Sequence, residues 1–400
     1  MDSNKLYALI LLVLAISVGA IKLPIADEIK LLHNVLPKVP TFSEIAEKNG
    51  LQCEEHNVTT SDGYILGVFH IPGDSKKPLL FMHGLLDSSD GMILREEGSL
   101  AVLLARAGYD VWVGNNRGNR YSRNHVSLDP NTDDQFWDFT FHEFGTLDLP
   151  ATIDYILNQT GQSQLSAIGH SEGTTIFYVL GSKRPEYNDK IKVLAALGPI
   201  AYLNNVVGLV ELIIKFAPEI NAVVEAINYQ ELVGFDSDIK SILRQICSIP
   251  NVSYEVCGGV AFAVLGADPA QLEPEFVPIL IDHYPAGSSR RNAVHYGQLG
   301  NRKEFAEFDY GREMNLFHYN STEPPAYNLS KVTFDMALFS GANDFLSTLK
   351  DVEILKAQLP NVVEHQIIDY PLWTHLDHLY GKLMPQYLFP LLLDLLAKYN

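Results

Sequence analysis

The chain has 400 residues, enough for one large core or for a core carrying a sizeable insertion. Hydrophobic residues make up 47% and charged residues 19%, which excludes a disordered chain. The formal charge of −19 leaves no excess of Lys and Arg to displace phosphate counterions, so neither a nucleic acid nor an anionic membrane held by charge alone is an expected partner.

Residues 1–20 open on a polar start with Lys5, then run apolar from Leu6 to Val18 and end on Gly19 and Ala20. That apolar run of about 13 residues falls short of the roughly 20 that span a membrane, so 1–20 reads as a cleaved signal peptide. The reading predicts a secreted or lysosomal protein. Asn57, Asn158, Asn251, Asn320 and Asn328 each open an Asn-x-Ser/Thr glycan acceptor, which fits a secretory route. There are three cysteines. Cys247 and Cys257 lie near each other in a stretch that reads as irregular, where an oxidising compartment allows them to close a short loop; Cys53 is left over as a buried thiol. There is no CxxC and no paired Cys/His spacing, so no zinc site is expected, and the serine chemistry read below calls for no metal or organic cofactor.

"GYILGVFHIPG" alternates and ends on Pro-Gly, a strand and turn. "KPLLFMHG" is a short apolar run stopped by glycine, a strand buried on both faces. "GSLAVLLARAG" reads as a helix, "YDVWVGNN" as the next buried strand, and "TLDLPATIDYILNQTG" as another helix. "SQLSAIGHSEGTTIFYVLGSK" gives strand, turn and helix. Such alternation implies parallel strands joined by right-handed crossovers, an α/β sheet covered by helices. The alternation lapses over 201–327, where apolar helical stretches such as "NNVVGLVELIIKFAPEI" are separated by Pro and Gly, and resumes at "KVTFDMALFSGANDFL". The expected organisation is a core in two parts, 21–200 and 328–400, split by a helical cap.

Gly169-His170-Ser171-Glu172-Gly173 matches G-x-S-x-G, with an apolar strand before it and a helix after. Glycines two before and two after permit the strained turn that lifts a serine hydroxyl clear of the sheet, so Ser171 is the candidate nucleophile. A serine hydroxyl needs a base oriented by a carboxylate, in the chain order Ser, Asp, His. Asp344 follows an apolar strand, at the end of the sheet where catalytic groups are displayed; it reads equally as a turn or cap aspartate, and Asp351 is a competitor in the helix beyond. His365, His375 and His378 are the late histidines, and the loop position of His375 favours it over His378. An oxyanion needs two N–H donors, expected from Glu172 and from Leu85 in "HGLLDSS".

With these pieces in place, the chain resembles the animal acid lipases, the family of gastric and lysosomal acid lipase. "EEHNVTTSDGYIL", "MHGLLDSS", "GYDVWVGNNRGNRYSRNHVSLDP", "FWDFTFHEFGTLDLPATIDYIL", "GHSEGTT", "YPAGSSRRNAVHYGQL", "GANDFL" and "THLDH" follow the family's segments in order across nearly the whole mature chain. The resemblance implies an α/β-hydrolase core with a helical cap and lid. It also implies Ser171, Asp344 and His375 as a triad, Leu85 and Glu172 as oxyanion donors, and a Cys247–Cys257 disulfide. The implied activity is hydrolysis of long-chain lipid esters, triglycerides above all, with a sterol ester hydrolase or a weak lipid-binding protein as alternatives. The substrate would be met at an emulsion or membrane interface, with no obligate protein partner. One departure from the family matters: it usually has Gln where this chain has Glu172. A carboxylate there would oppose a developing oxyanion and bias activity to low pH, unless it is protonated or turned out to solvent.

Overall fold

A computed structural model describes residues 37–400 except 227, 250 and 251; the leader 1–20 and Asn251 lie outside the described residues. Strands run in chain order as β1 (Glu54–Thr59), β2 (Tyr64–Ile71), β3 (Asp74–Met82), β4 (Tyr109–Val113), β5 (Asn124–His125), β6 (Leu165–His170), β7 (Ile191–Leu197), β8 (Glu231–Leu232), β9 (Ser288–Ser289), β10 (Asp335–Ser340) and β11 (Val362–Ile367). All but β8 and β9 form one sheet ordered β1-β2-β4-β3-β6-β7-β10-β11, with β5 paired to β2. From β4 to β11 every pairing is parallel, while β1–β2 and β2–β4 are antiparallel.

Both faces of this sheet are dry, which is why its central strands read as unbroken apolar runs. On β3, Leu80 and Met82 enter one core while Leu79 and Phe81 enter the other. On β10, Met336 and Leu338 divide from Ala337 and Phe339 in the same way. Strand β1 gave no such signal. Among its six residues, Glu-Glu-His-Asn-Val-Thr, only Val58 is buried, and edge pairing to β2 holds it rather than apolar alternation.

Between β7 and β10 lies the cap, with helices including Leu209–Lys215, Ala217–Ala226, Asp238–Ser248, Gly259–Leu265, Phe276–His283, Arg290–Arg302 and Arg312–Tyr319. The apolar helical stretch "NNVVGLVELIIKFAPEI" is broken at Phe216 into two helices. Cys247 sits on the helix Asp238–Ser248 and is bonded to Cys257 in the helical turn Ser253–Gly258, so the pair joins two helical segments and not an irregular stretch. Cys53 is half-buried, and burial pushes its thiol up to about 11.

Three of the family-like segments, those carrying Asp62, Arg117 and Asp148, meet in a buried ion cluster. Arg117 donates from its backbone N, Nε and Nη2 to Asp148 at 3.0, 2.8 and 2.6 Å, and from Nη1 and Nη2 to Asp62 at 2.6 and 3.0 Å. Its guanidinium lies 3.8 Å from the Tyr64 ring centroid. The cluster ties the β2 hairpin, the loop after β4 and the helix Leu149–Thr160 together. Removing one member of a buried pair strands the other, at a cost of about 3 kcal/mol or more. Asp148→Ala should lower unfolding free energy in denaturant titration by that amount; a loss under about 1 kcal/mol would show that Asp62 alone satisfies the arginine.

Candidate active site

The candidate residues all emerge at the carboxyl ends of parallel strands, the usual place for a site on an open α/β sheet. Ser171 stands between β6 and the helix Glu172–Lys183 with φ 53° and ψ −118°, a conformation that L-residues rarely adopt. Two glycines make it possible. A Cβ on Gly173 would sit 2.1 Å from the Met82 carbonyl oxygen, and one on Gly169 would sit 2.7 Å from the carbonyl oxygen of Gly173. The Ser171 N–H donates to the Leu197 carbonyl at 3.0 Å, which pins the turn to the end of β7.

Asp344 and His375 come together with His375 Nδ1 2.7 Å from Asp344 Oδ2. The other carboxylate oxygen accepts the N–H groups of Leu346 at 2.9 Å and Ser347 at 2.7 Å. These bonds fix the aspartate and hold the proton of His375 on Nδ1, so Nε2 carries the lone pair. Nε2 is buried and has no hydrogen-bond partner among the described residues. Gly198, directly after β7, leaves room for this pair: a Cβ there would approach His375 Cε1 and Nδ1 to 3.0 Å. His170, next to Ser171, donates from Nε2 to the His375 carbonyl at 3.1 Å, linking the serine turn to the histidine loop.

The competitors are engaged elsewhere. Asp351 accepts the backbone N–H and side-chain amide of Asn205 at 2.9 and 2.7 Å, a structural bond. His365 lies on β11, bonded to Ser340 Oγ at 3.1 Å. His378 is fully buried beside Trp373, and burial holds it neutral, well below the usual histidine range.

Leu85 follows His83 and Gly84 at the end of β3, beside the serine: a Cβ on Gly84 would lie 3.2 Å from Ser171 Cβ. His83 holds this loop, donating from Nδ1 to the Gly84 carbonyl at 2.8 Å and accepting the Asn116 N–H on Nε2 at 3.1 Å. Burial lowers it to about 4. Neither the Leu85 N–H nor the Glu172 N–H is taken by another protein group among the described residues.

Glu172 does not reach solvent, in contrast to the outward-pointing side chain considered from the sequence. It is 2% exposed, and its Oε1 accepts the Asn292 side-chain amide at 2.7 Å. Asn292 is fixed in turn by the Phe141 N–H at 2.7 Å. Burial raises the Glu172 carboxyl to about 7, against the opposing pull of Asn292 and Tyr296. The group is therefore neutral in acid and becomes a buried anion, adjoining a candidate oxyanion donor, as pH passes 7. Of the other residues singled out from sequence, Asn57, Asn158, Asn320 and Asn328 are all exposed.

Comparison with known proteins gives this arrangement a lineage. Residues 77–225 match the alpha/beta hydrolase fold family, and residues 42–96 match a partial alpha/beta-hydrolase lipase region. Among solved structures, an epoxide hydrolase from Vigna radiata shares the fold at TM-score 0.50 and 16% identity, over 87% of this chain and 99% of that one. The chain is an α/β-hydrolase. It is 37% identical over 363 residues to Lipase 1 of Drosophila melanogaster, covering 90% of this chain and 80% of that one. It is 36% identical over 368 residues to human lysosomal acid lipase/cholesteryl ester hydrolase, covering 90% and 91%. The chain belongs to the animal acid lipase family, and it is a lipase that hydrolyses carboxylic esters.

The Glu172 environment sets a measurable pH dependence. Its folded value of about 7 lies above the unfolded 4.5, so the folded state holds the extra proton between those values. The stability this contributes is full below about 4.5 and lost as pH rises through 7, on the order of 3 kcal/mol for a shift of this size. Glu172→Gln should match the parent at pH 5, exceed it in unfolding free energy at pH 8, and carry its activity further into the alkaline range. Superimposable stability and rate profiles for the two proteins would rule this out.

Proposed function

We propose that the protein hydrolyses long-chain acylglycerols at a lipid–water interface, with Ser171 as nucleophile. Ser171 Oγ attacks the ester carbonyl while His375 Nε2 takes its proton, and Asp344 steadies the imidazolium through Nδ1. The N–H groups of Leu85 and Glu172 hold the oxyanion. His375 then protonates the departing alcohol, and water activated by the same nitrogen releases the fatty acid. These steps require no metal or organic cofactor. The observation that carries this reading is the 2.7 Å bond from His375 to Asp344, with Nε2 left unpartnered beside the strained serine turn.

Large apolar side chains left on the cap surface support a lipid interface as the working environment: Phe216 is 47% and Phe317 80% exposed. A second reading, cholesteryl ester hydrolysis, is favoured by the human relative whose name carries that activity. For destination, residues 1–20 act as the leader that sends the chain to lysosomes or the extracellular space. Among the described residues no helix is long and apolar enough to cross a membrane.

The test is fatty-acid release from emulsified long-chain triglyceride, cholesteryl ester and a short soluble ester, by the parent and by Ser171→Ala. Loss of the nucleophile should cut turnover on the order of a millionfold on every ester. Triglyceride as the fastest substrate supports the first reading and cholesteryl ester the second. Residual activity in Ser171→Ala close to the parent's would remove Ser171 from the mechanism.

A further inference from the structure

Far from the serine turn in sequence, the β1–β2 edge brings two histidines and a glutamate together. Glu54 and His56 are two apart on β1 and so share a face, and the antiparallel register sets Glu54 opposite His70 on β2. Glu54 Oε2 lies 3.4 Å from His56 Nε2 and 3.2 Å from His70 Nδ1, and all three atoms fall within 4.8 Å of one another. We propose that Glu54, His56 and His70 form a binding site for a zinc-class divalent metal ion.

Ligand spacing supports the assignment. Tetrahedral ligands at zinc's 2.0–2.1 Å bond length stand about 3.3 Å apart, and the two oxygen–nitrogen edges already match. The nitrogen–nitrogen edge lies within 4.8 Å and would shorten on binding.

The outer partners also match those of metal-binding histidines, whose second nitrogen is normally held by another group. His70 Nε2 donates to Asp110 Oδ1 at 2.7 Å, and the ring stacks on Trp112 at 3.8 Å. Asp110 is itself fixed by the Gly73 N–H at 3.0 Å and by Trp112 Nε1 at 2.7 Å. His70 Nδ1 is hydrogen-bonded to Glu54 Oε2 at 3.2 Å, and this is the nitrogen that a metal ion would take over. His56 Nδ1 meets the Tyr155 hydroxyl at 2.9 Å, while its buried Nε2 makes no hydrogen bond among the described residues.

Two ring nitrogens and a carboxylate oxygen converge, the donor set that a zinc-class ion takes. Two imidazoles select zinc and its neighbours over calcium or magnesium, which take oxygen ligands. Side-chain exposure of 57% at Glu54, against 19% at His56 and 12% at His70, leaves an open side for a fourth ligand. A bound ion would fasten the polar edge strand β1 to β2 and, through Tyr155, to the helix Leu149–Thr160. The site lies outside the ester-hydrolysing machinery. Sequence spacing concealed it, because the ligands sit on two strands and include no cysteine.

The experiment uses untagged, chelator-stripped mature protein, titrated calorimetrically with zinc chloride and, separately, calcium chloride. Saturable binding of one zinc per chain, a raised thermal midpoint with zinc and no response to calcium are expected. Glu54→Gln and His56→Phe should each weaken zinc binding by at least about tenfold while ester hydrolysis is retained. Glu54 is exposed, so its variant should keep the metal-free thermal midpoint and remain informative if His56→Phe folds poorly. Cobalt(II) substituted for zinc should give tetrahedral visible absorption that Glu54→Gln loses. No saturable zinc binding, or affinity unchanged in Glu54→Gln, overturns the proposal.

Discussion

The serine turn depends on how near Gly173 comes to the Met82 carbonyl. The helix following the serine begins so near the end of β3 that a single methyl group on Gly173 would lie 2.1 Å from that oxygen. Because the helix starts there, its first N–H groups lie beside the loop carrying Leu85, and Ser171 is held in its left-handed turn. The Ser171 N–H bond to Leu197 extends the constraint to β7, whose next residue, Gly198, abuts His375 and Asp344. The ends of β3, β6 and β7 thus meet at one junction. Moving any one of them would shift a candidate donor, the candidate nucleophile or the candidate base.

The cap is bonded to this junction. Asn292, on the helix Arg290–Arg302, bridges Glu172 and the Phe141 N–H, and Tyr296 on the same helix reaches Thr175 at 3.2 Å. On the other side the Ala286 N–H donates to the Leu86 carbonyl at 2.6 Å, one residue past the candidate oxyanion donor. Both loops that carry the candidate oxyanion donors therefore lean on residues of the segment between β7 and β10. The exchange of Gln for Glu at 172 is tolerable here because the carboxyl keeps the Asn292 bond and is neutralised by its own burial.

The sheet was legible, and Ser171 stood out as the candidate nucleophile, because each follows a local rule. Buried parallel strands require unbroken apolar runs, and a strained serine turn requires flanking glycines. The residues left Asp344 and Asp351 both open: both follow the same strand within one turn and helix, and only the folded chain sets one carboxylate 2.7 Å from His375 and the other against Asn205. Strand β1 escaped because an edge strand is held by its ladder and shows no apolar alternation. The orientation of Glu172 escaped because its partner is 120 residues away. The His56–His70 pair escaped for the same reason, since register and not spacing brings it together.

Buried titratable groups around the junction act on stability in opposite directions as the solution turns acid. His83, lowered to about 4, and His170 and His378, held well below the usual range, stay neutral in the folded protein, whereas unfolding lets them take up protons below about 6.5. They lose stability as pH falls from there. Asp87, Asp377 and Glu172, each raised by burial to about 7, hold protons that the unfolded chain would release above about 4, so they gain stability over the same descent. The two sets oppose each other between about pH 4 and pH 6.5. A core with only the histidines would weaken steadily through that range. The buried carboxyls offset the loss, so the serine junction can stay folded with neutral surroundings in mildly acid solution.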